Sequence, residues 1–353
     1  MLRKRKITLS QRAVSIEDIA KIAGVSHSTV SRALRNSSLI SLATRERIKL
    51  LAREMNYIPN AIAQSLQMQR SNTIGLVVTS VADPFFGEVV RGVEEVAQTT
   101  GFSVLLNASH NDPDREIAAI ETFHHRRVDG IIVADSRLSA NYNTQLTHMR
   151  VPTILINSQA EEQLDAFNFV TIEDSLGAQV AVEHLLEMGH RAIGYLGVGN
   201  RPRSNQLRLE GYRAALQSAG VLPPEEWVVV AGAGNLRHED DAIVGQELLP
   251  RLLAAGVTAV FCHNDMLAVG ALMACRELGL KVPDDLSLVG FDDIALAKYV
   301  TPPLTTLHQP MLELGRNAMQ MLLDLLDHKE VQNKVLKPFL VTRQSSAAPP
   351  QEC

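Results

Sequence analysis

Six side chains stand at or just past the ends of apolar runs, or one helical turn into a helix that follows such a run. Asp83 follows IGLVVTS with Phe85 beside it, Asn157 closes TILIN, Asn264 closes AVFCHN, Asp292 closes LVGFD, and Arg208 lies one helical turn after Ser204 in RSNQLRLEGY. Ligands of open α/β sheets sit outside the carboxyl ends of the strands. Carboxylates and amides take hydroxyls in pairs, and an aromatic face packs on the apolar side of a sugar ring. The set therefore suits a polyhydroxylated small molecule. The competing reading is that these Asp and Asn residues cap the helices that follow, as Asp265 is expected to do. A second set lies in GVSHSTVSRAL: His27, Ser28, Thr29, Ser31 and Arg32 point away from the apolar positions Val30, Ala33 and Leu34. A small, hydroxylated surface ending in Arg suits close approach to phosphates and base edges.

Other chemistry finds no support. GVGNRP and AGAGNLR follow strand-like runs but lack the third glycine of a dinucleotide-binding turn. There is no P-loop, no G-x-S-x-G and no H-E-x-x-H, and His124, His125, His184 and His190 have no partners at metal-ligand spacing. No metal, no cofactor and no catalysis are expected.

The elements that must hold these residues can be read from periodicity. Near the N-terminus, Ile16, Ile19, Ala20 and Ala23 recur at helical spacing behind Ser15, with Asp18 completing a near capping box. Gly24 supplies a turn, and Ser26 caps a second helix. Two short helices so joined predict a helix-turn-helix whose second helix enters the major groove. A third helix is expected over about 41–56, and a short one follows Pro59, too short to be stable alone. From Asn72 onward, eight strand-like runs (74–80, 102–108, 130–135, 153–158, 193–198, 227–232, 259–264 and 286–292) alternate with amphipathic stretches. Repeated βα predicts parallel sheets with helices on both faces, either one barrel or two doubly wound sheets. The rhythm breaks around 158–169, the expected place for a change of lobe.

Charge divides the chain in the same way. Residues 1–70 carry thirteen Lys and Arg against four Asp and Glu, a formal +9; the rest carries 21 bases against 35 acids, a formal −14. A compact basic head on an acidic body is the footprint of a nucleic-acid-binding module. With 353 residues, 46% of them hydrophobic and 21% charged, the chain can build packed cores, which excludes disorder. Three unpaired cysteines exclude a disulfide scaffold. No apolar run approaches the ~20 residues of a membrane helix, and no signal peptide is recognisable, so a soluble cytoplasmic protein is expected.

The segments IEDIAKIAGVSHSTVSRAL, ATRERI and NYIPNAIAQSL closely resemble the headpiece of the lactose-repressor (LacI/GalR) family. DPFFGEVVRGVEEVA, VEHLLEMGHRAIGYLG, RLEGYRAAL, NDMLAVGAL, DLSLVGFDD and PPLTTLHQP resemble its effector domain, so the likeness runs to about Arg343. The resemblance implies an α/β chain: an all-α helix-turn-helix headpiece followed by a two-lobed, periplasmic-binding-protein-like domain of doubly wound parallel sheets. The expected divisions are a basic arm (1–13), the helix-turn-helix domain (14–58), a hinge helix and linker (59–71), the effector-binding and dimerisation domain (72–345) and a tail (346–353). One lobe is expected over 72–160 plus a returning helix near 310–328, the other over 161–309 plus a final strand near 334–343. The resemblance also puts phosphate contacts on Ser26, Thr29, Ser31 and Tyr57, base reading on His27, Ser28 and Arg32, the hinge asparagine on Asn60 and a minor-groove wedge on Leu66. Effector contacts fall on Arg208, Asp292 and Asn264, with Asp83, Phe85 and Asn157 at pocket positions that differ between members.

The expected function is that of a sequence-specific transcriptional regulator, most simply a repressor. It would bind a palindromic double-stranded operator as a homodimer, its affinity switched by a small-molecule effector of carbohydrate type. The tail QSSAAPPQEC has no apolar heptads, which argues for a dimer over a tetramer. Two other readings are a transport-type sugar-binding protein, which the basic head opposes, and an enzyme on a Rossmann-like scaffold, which no residue constellation supports.

Overall fold

The computed structural model describes residues 14–57, 70–137, 151–158, 166–232 and 240–350. Contacts divide the chain into two units between Ser71 and Asn72, and each is considered by itself.

The described residues of the N-terminal unit form three helices, α1 (Ile16–Ala23), α2 (His27–Leu34) and α3 (Leu42–Glu54). The capping box before α1 is complete: the Asp18 amide donates to Ser15 Oγ, while Asp18 Oδ2 accepts from the Ser15 amide at 2.9 Å. Gly24 turns the chain at φ +64°, in the left-handed region that only glycine enters freely. Ile19, Ala20, Ala23, Val30, Ala33, Ile48 and Ala52 form the core, one stripe from each helix. The Arg47 guanidinium donates to the Ala23 carbonyl at 2.8 Å, tying α3 to the end of α1 where the helix dipole favours a cation.

The second unit holds two six-stranded sheets. The first is built from β1 (Thr73–Val78), β2 (Ser103–Ala108), β3 (Gly130–Ala134), β4 (Thr153–Ile156), β5 (Asn168–Ile172) and β11 (Lys334–Leu336), in the order β11-β5-β4-β3-β1-β2. The second contains β6 (Ile193–Val198), β7 (Val228–Ala231), β8 (Ala259–Cys262), β9 (Ser287–Asp292), β10 (Thr305–His308) and β12 (Phe339–Val341), in the order β12-β10-β9-β8-β6-β7. All pairings are parallel except β10 with β12. The central strands β3, β6 and β9 are buried along their whole length, whereas the edge strands β2 and β12 are not. Buried parallel strands need no polar alternation, which is why their runs are so evenly apolar.

Among the described residues, seven helices cover the sheets: α4 (Pro84–Thr100), α5 (Pro113–His125), α6 (Asp174–Glu187), α7 (Pro202–Ser218), α8 (Asp241–Ala254), α9 (Asp265–Glu277) and α10 (Met311–Leu326). The returning helix α10 packs on α4 through reciprocal glycines. A Cβ on Gly92 would meet the Leu312 carbonyl at 2.2 Å, and one on Gly315 would meet that of Val89 at 2.1 Å. Only glycine at both positions lets these backbones lie so close.

Two expectations about the lobes need correction. The change of lobe falls after β5, not in 158–169: Asn168–Ile172 adds a strand to the first sheet, pairing with β4. Its polar Asn168 and Thr171 disguise it as a loop. The final strand is also divided, with β11 in the first sheet and β12 in the second. The chain thus passes between lobes three times, after β5, after β10 and between β11 and β12. Beyond Arg343 it stays bound to the second sheet: the Leu288 amide donates to the Ser345 carbonyl at 2.7 Å, and Ser345 Oγ accepts from the Thr305 amide at 2.8 Å. No described helix is long and apolar enough to cross a membrane.

Candidate functional site

The carboxyl ends of both sheets face one polar cavity. It is lined by Asp83, Phe85, Asp135, Asn157, Asp174, Arg201, Ser204, Arg208, His263, Asn264, Asp292 and Gln309. All six cavity residues singled out from the sequence are therefore brought together. Asp83, Phe85 and Asn157 come from the first lobe; Arg208, Asn264 and Asp292 come from the second.

Each side chain has a local reason for its place. Asp83 precedes α4, where it accepts from the Phe85 amide at 2.9 Å, and Asn264 caps α9 by accepting from the Leu267 amide at 2.8 Å. Both are caps and cavity residues at once. Asp265 does not cap as expected. It is buried beneath the sheet ends, accepting from Thr306 Oγ1 at 2.5 Å and from the Ile294 amide at 2.9 Å. Three lining residues sit where strands end in a left-handed backbone, Asp135 at φ +52°, Asn157 at φ +47° and Asp292 at φ +125°. Asp and Asn tolerate that region best, and such strain concentrates at functional sites.

Arg208 is the centre of the second lobe's wall. Its Nε donates to Asp174 Oδ1 at 2.7 Å, its Nη1 donates to the His263 carbonyl and lies 3.9 Å from Asp292, and its guanidinium rests 3.7 Å above the Phe291 ring. Arg201 donates to Asp241 Oδ2 at 2.9 Å, and that oxygen also accepts from Asn264 Nδ2 at 2.7 Å. Gln309 Nε2 donates to Asp292 Oδ1 at 2.5 Å.

Burial dominates the electrostatics. It pushes Asp135 up to about 7 against the pull of Arg201, and it raises Asp83 and, most strongly, Asp292. Burial would discharge Arg201, but Asp241, Asp83 and Asp135 hold it charged. Burial, helped by Arg208 and Arg201, lowers His263 well below the usual histidine range, so its imidazole is neutral. Among the described residues, no group of three or more His, Cys, Asp and Glu side chains is placed to hold a metal ion.

Sequence reasoning missed Asp135, Asp174, Arg201, Ser204, His263 and Gln309 as lining residues. Asp135 and His263 carry the same strand-end signal that marks Asn157 and Asn264. Arg201 lies in GVGNRP, and Gln309 follows β10, a strand whose TTLH alternation is too short to stand out.

On the headpiece, His27, Ser28 and Arg32 are exposed on α2, as the outward face requires. Ser26 Oγ caps that helix, accepting from the Thr29 amide at 3.2 Å, and Thr29 is half-buried. Ser31 corrects the expectation. It is buried rather than outward, because Arg35 folds back one turn and donates to its hydroxyl at 3.0 Å. Tyr57 is half-buried beyond the end of α3, and Asn60 and Leu66 lie outside the described residues.

Comparison with known proteins places this geometry. Residues 15–60 match the family described as bacterial regulatory proteins, lacI family, and residues 182–346 match a periplasmic binding protein-like domain. The chain is 35% identical to the HTH-type transcriptional repressor CytR of Escherichia coli K12 over 98% of its own length and 100% of CytR. It resembles the lac repressor dimer bound to operator and the anti-inducer ONPF, at 30% identity and a TM-score of 0.84, covering 96% of this chain and 100% of that one. A LacI family regulator from Enterococcus faecium with bound ribose matches at 30% identity and a TM-score of 0.69, over 78% of this chain and 99% of that one.

Proposed function

This chain belongs to the lacI family of bacterial regulatory proteins, and from that premise we propose that it is an operator-binding repressor switched by a small polyhydroxylated ligand in the interlobe cavity. The observation that carries the reading is a polar cavity walled by both lobes, on a chain that begins with a helix-turn-helix headpiece. The relatives add support. The lac repressor structure is a dimer on operator DNA, and the E. faecium regulator holds ribose.

In this reading the protein works as a homodimer in the cytoplasm, and its two-fold symmetry calls for a near-palindromic site. His27, Ser28 and Arg32 of α2 read base edges, Arg32 through a bidentate pair with guanine, while Ser26, Thr29 and Tyr57 contact phosphates. Asn60 and Leu66 act in the hinge, where an apolar wedge at a base step bends the duplex. Ser31, with its hydroxyl engaged by Arg35, supports the helix more than it contacts DNA.

A ligand held by Asp83, Phe85 and Asn157 on one side and Arg208, Asn264 and Asp292 on the other favours one arrangement of the lobes. Through the hinge it then shifts the population able to bind DNA. The cavity acts by binding rather than catalysis, since its charged groups are held in fixed pairs, Arg208 with Asp174 and Arg201 with Asp241. The test is selection of bound duplexes from a random pool. Enrichment of a palindrome supports the reading; retention of the pool without sequence preference rejects it.

A further inference from the structure

The hydrogen-bond inventory of the cavity is lopsided. Two of its amide donors are taken: Asn264 Nδ2 by Asp241, and Gln309 Nε2 by Asp292. Arg208 gives Nε to Asp174 and Nη1 to the His263 carbonyl, and Arg201 is bound to Asp241. Acceptors, by contrast, are open. Gln309 Oε1 is buried with no hydrogen-bond partner among the described residues. Asp135, only 8% exposed, lines the cavity, and no described group donates to its carboxyl. A buried acceptor left unmet is costly, so the occupant that fits must bring hydrogens to donate. A phosphate or carboxylate group brings acceptors and would face Asp83, Asp135, Asp174 and Asp292, while Arg208 and Arg201 are already paired with Asp174 and Asp241.

Asp135 is also held from outside the cavity. The next residue, Ser136, donates to Glu116 Oε1 at 2.5 Å, and the Arg137 amide donates to Glu116 Oε2 at 3.1 Å. Glu116 comes from α5, and Arg137 closes the clamp by donating to the Asn111 carbonyl at 3.2 Å. The left-handed turn at Asp135 is thus fixed by a buried carboxylate that does not itself line the cavity.

We propose that Asp135 makes this cavity selective for an uncharged polyol over sugar acids and sugar phosphates, by accepting hydroxyls of the ligand, and that Glu116 is the positioning residue that aims it. This rests on the reading of the cavity as the effector site.

The test is calorimetric titration of the full-length protein with D-ribose, D-xylose, D-glucose and D-galactose, and with D-gluconate, D-ribose 5-phosphate and D-glucose 6-phosphate. The wild type should bind a neutral sugar at least tenfold more tightly than any of the anions. Asp135→Asn keeps the side-chain shape and suits a left-handed backbone, so it should fold, as its ligand-free melting temperature will report. It should lose roughly tenfold or more in affinity for that sugar, the loss of a charge-assisted hydrogen bond, and the preference over anions should narrow. Glu116→Gln keeps the Ser136 contact but cannot accept from the Arg137 amide, and it should narrow the same ratio by a smaller factor. An unchanged ratio in Glu116→Gln removes its positioning role. Tightest binding of an anion by the wild type, or Asp135→Asn within twofold of it for the neutral sugar, overturns the inference and leaves the effector cavity intact. Failure of the wild type to bind any of the seven overturns the carbohydrate reading and this inference with it.

Discussion

Replacing Arg208 by methionine should damage the fold before it damages recognition. The guanidinium is 5% exposed, bonded to Asp174 at 2.7 Å and packed over Phe291 at 3.7 Å. Removing one partner of a buried ion pair leaves the other charge uncompensated and costs about 3–5 kcal/mol. Methionine restores the packing on Phe291 but offers Asp174 no hydrogen. For a unit of this size about 2 °C is lost per kcal/mol, so thermal unfolding without ligand should begin roughly 6–10 °C lower. The decisive comparison is a double-mutant cycle with Asp174→Asn. If the pair acts as a unit, neutralising Asp174 costs far less in the Arg208→Met background, with a coupling of about 2–3 kcal/mol. Additive losses, or an Arg208→Met protein within about 1 kcal/mol of wild type, would refute the reasoning. In that case the effect of Arg208 on any ligand could be read directly as contact.

Further outcomes follow from other parts of the molecule. Gly315→Ala puts a Cβ 2.1 Å from the Val89 carbonyl, so α4 and α10 must separate, and denaturant unfolding should show a loss of about 1–3 kcal/mol. Ser26→Ala removes the cap of α2 and should cost about 1 kcal/mol of headpiece stability in an amide-exchange measurement. Arg32→Ala should relax sequence preference at one base pair per half-site by about 1–3 kcal/mol when single-base variants of the selected duplex are titrated. Burial raises Asp265 from 3.8 to about 7, so the folded state holds that proton more tightly than the unfolded chain does. The resulting stability is complete below pH 4 and is lost as pH rises to 7, on the order of a few kcal/mol. In Asp265→Asn this decline should flatten when melting is followed across that window, whatever the variant's absolute stability; an unchanged slope would show that other groups cause it.

What the sequence discloses follows physical signal strength. The buried parallel strands are legible because burial on both faces leaves evenly apolar runs such as IGLVVTS and IGYLGV, and Gly24 with Ser26 marks the turn between α1 and α2. β5 and β12 are not legible. They are short, and carry Asn168 or lie half-exposed. The strand-end rule finds Asp83, Asn157, Asn264 and Asp292 because each follows a recognisable strand. It misses Gln309, whose strand it cannot see, and Arg201, which enters the cavity from the position just before a helix. Ser31 shows the opposite limit: helical periodicity turns it outward, and only Arg35 folding back over it decides otherwise.

On the function proposed, ligand in the cavity and operator on the headpiece are energetically coupled. Its most direct test is the affinity of the full-length protein for a selected palindromic duplex, measured by fluorescence anisotropy with and without the tightest-binding sugar at saturation. Saturating sugar should change duplex affinity by about tenfold or more, with the same factor recovered when sugar affinity is measured with and without duplex. A sugar that binds the cavity while duplex affinity stays the same would contradict it.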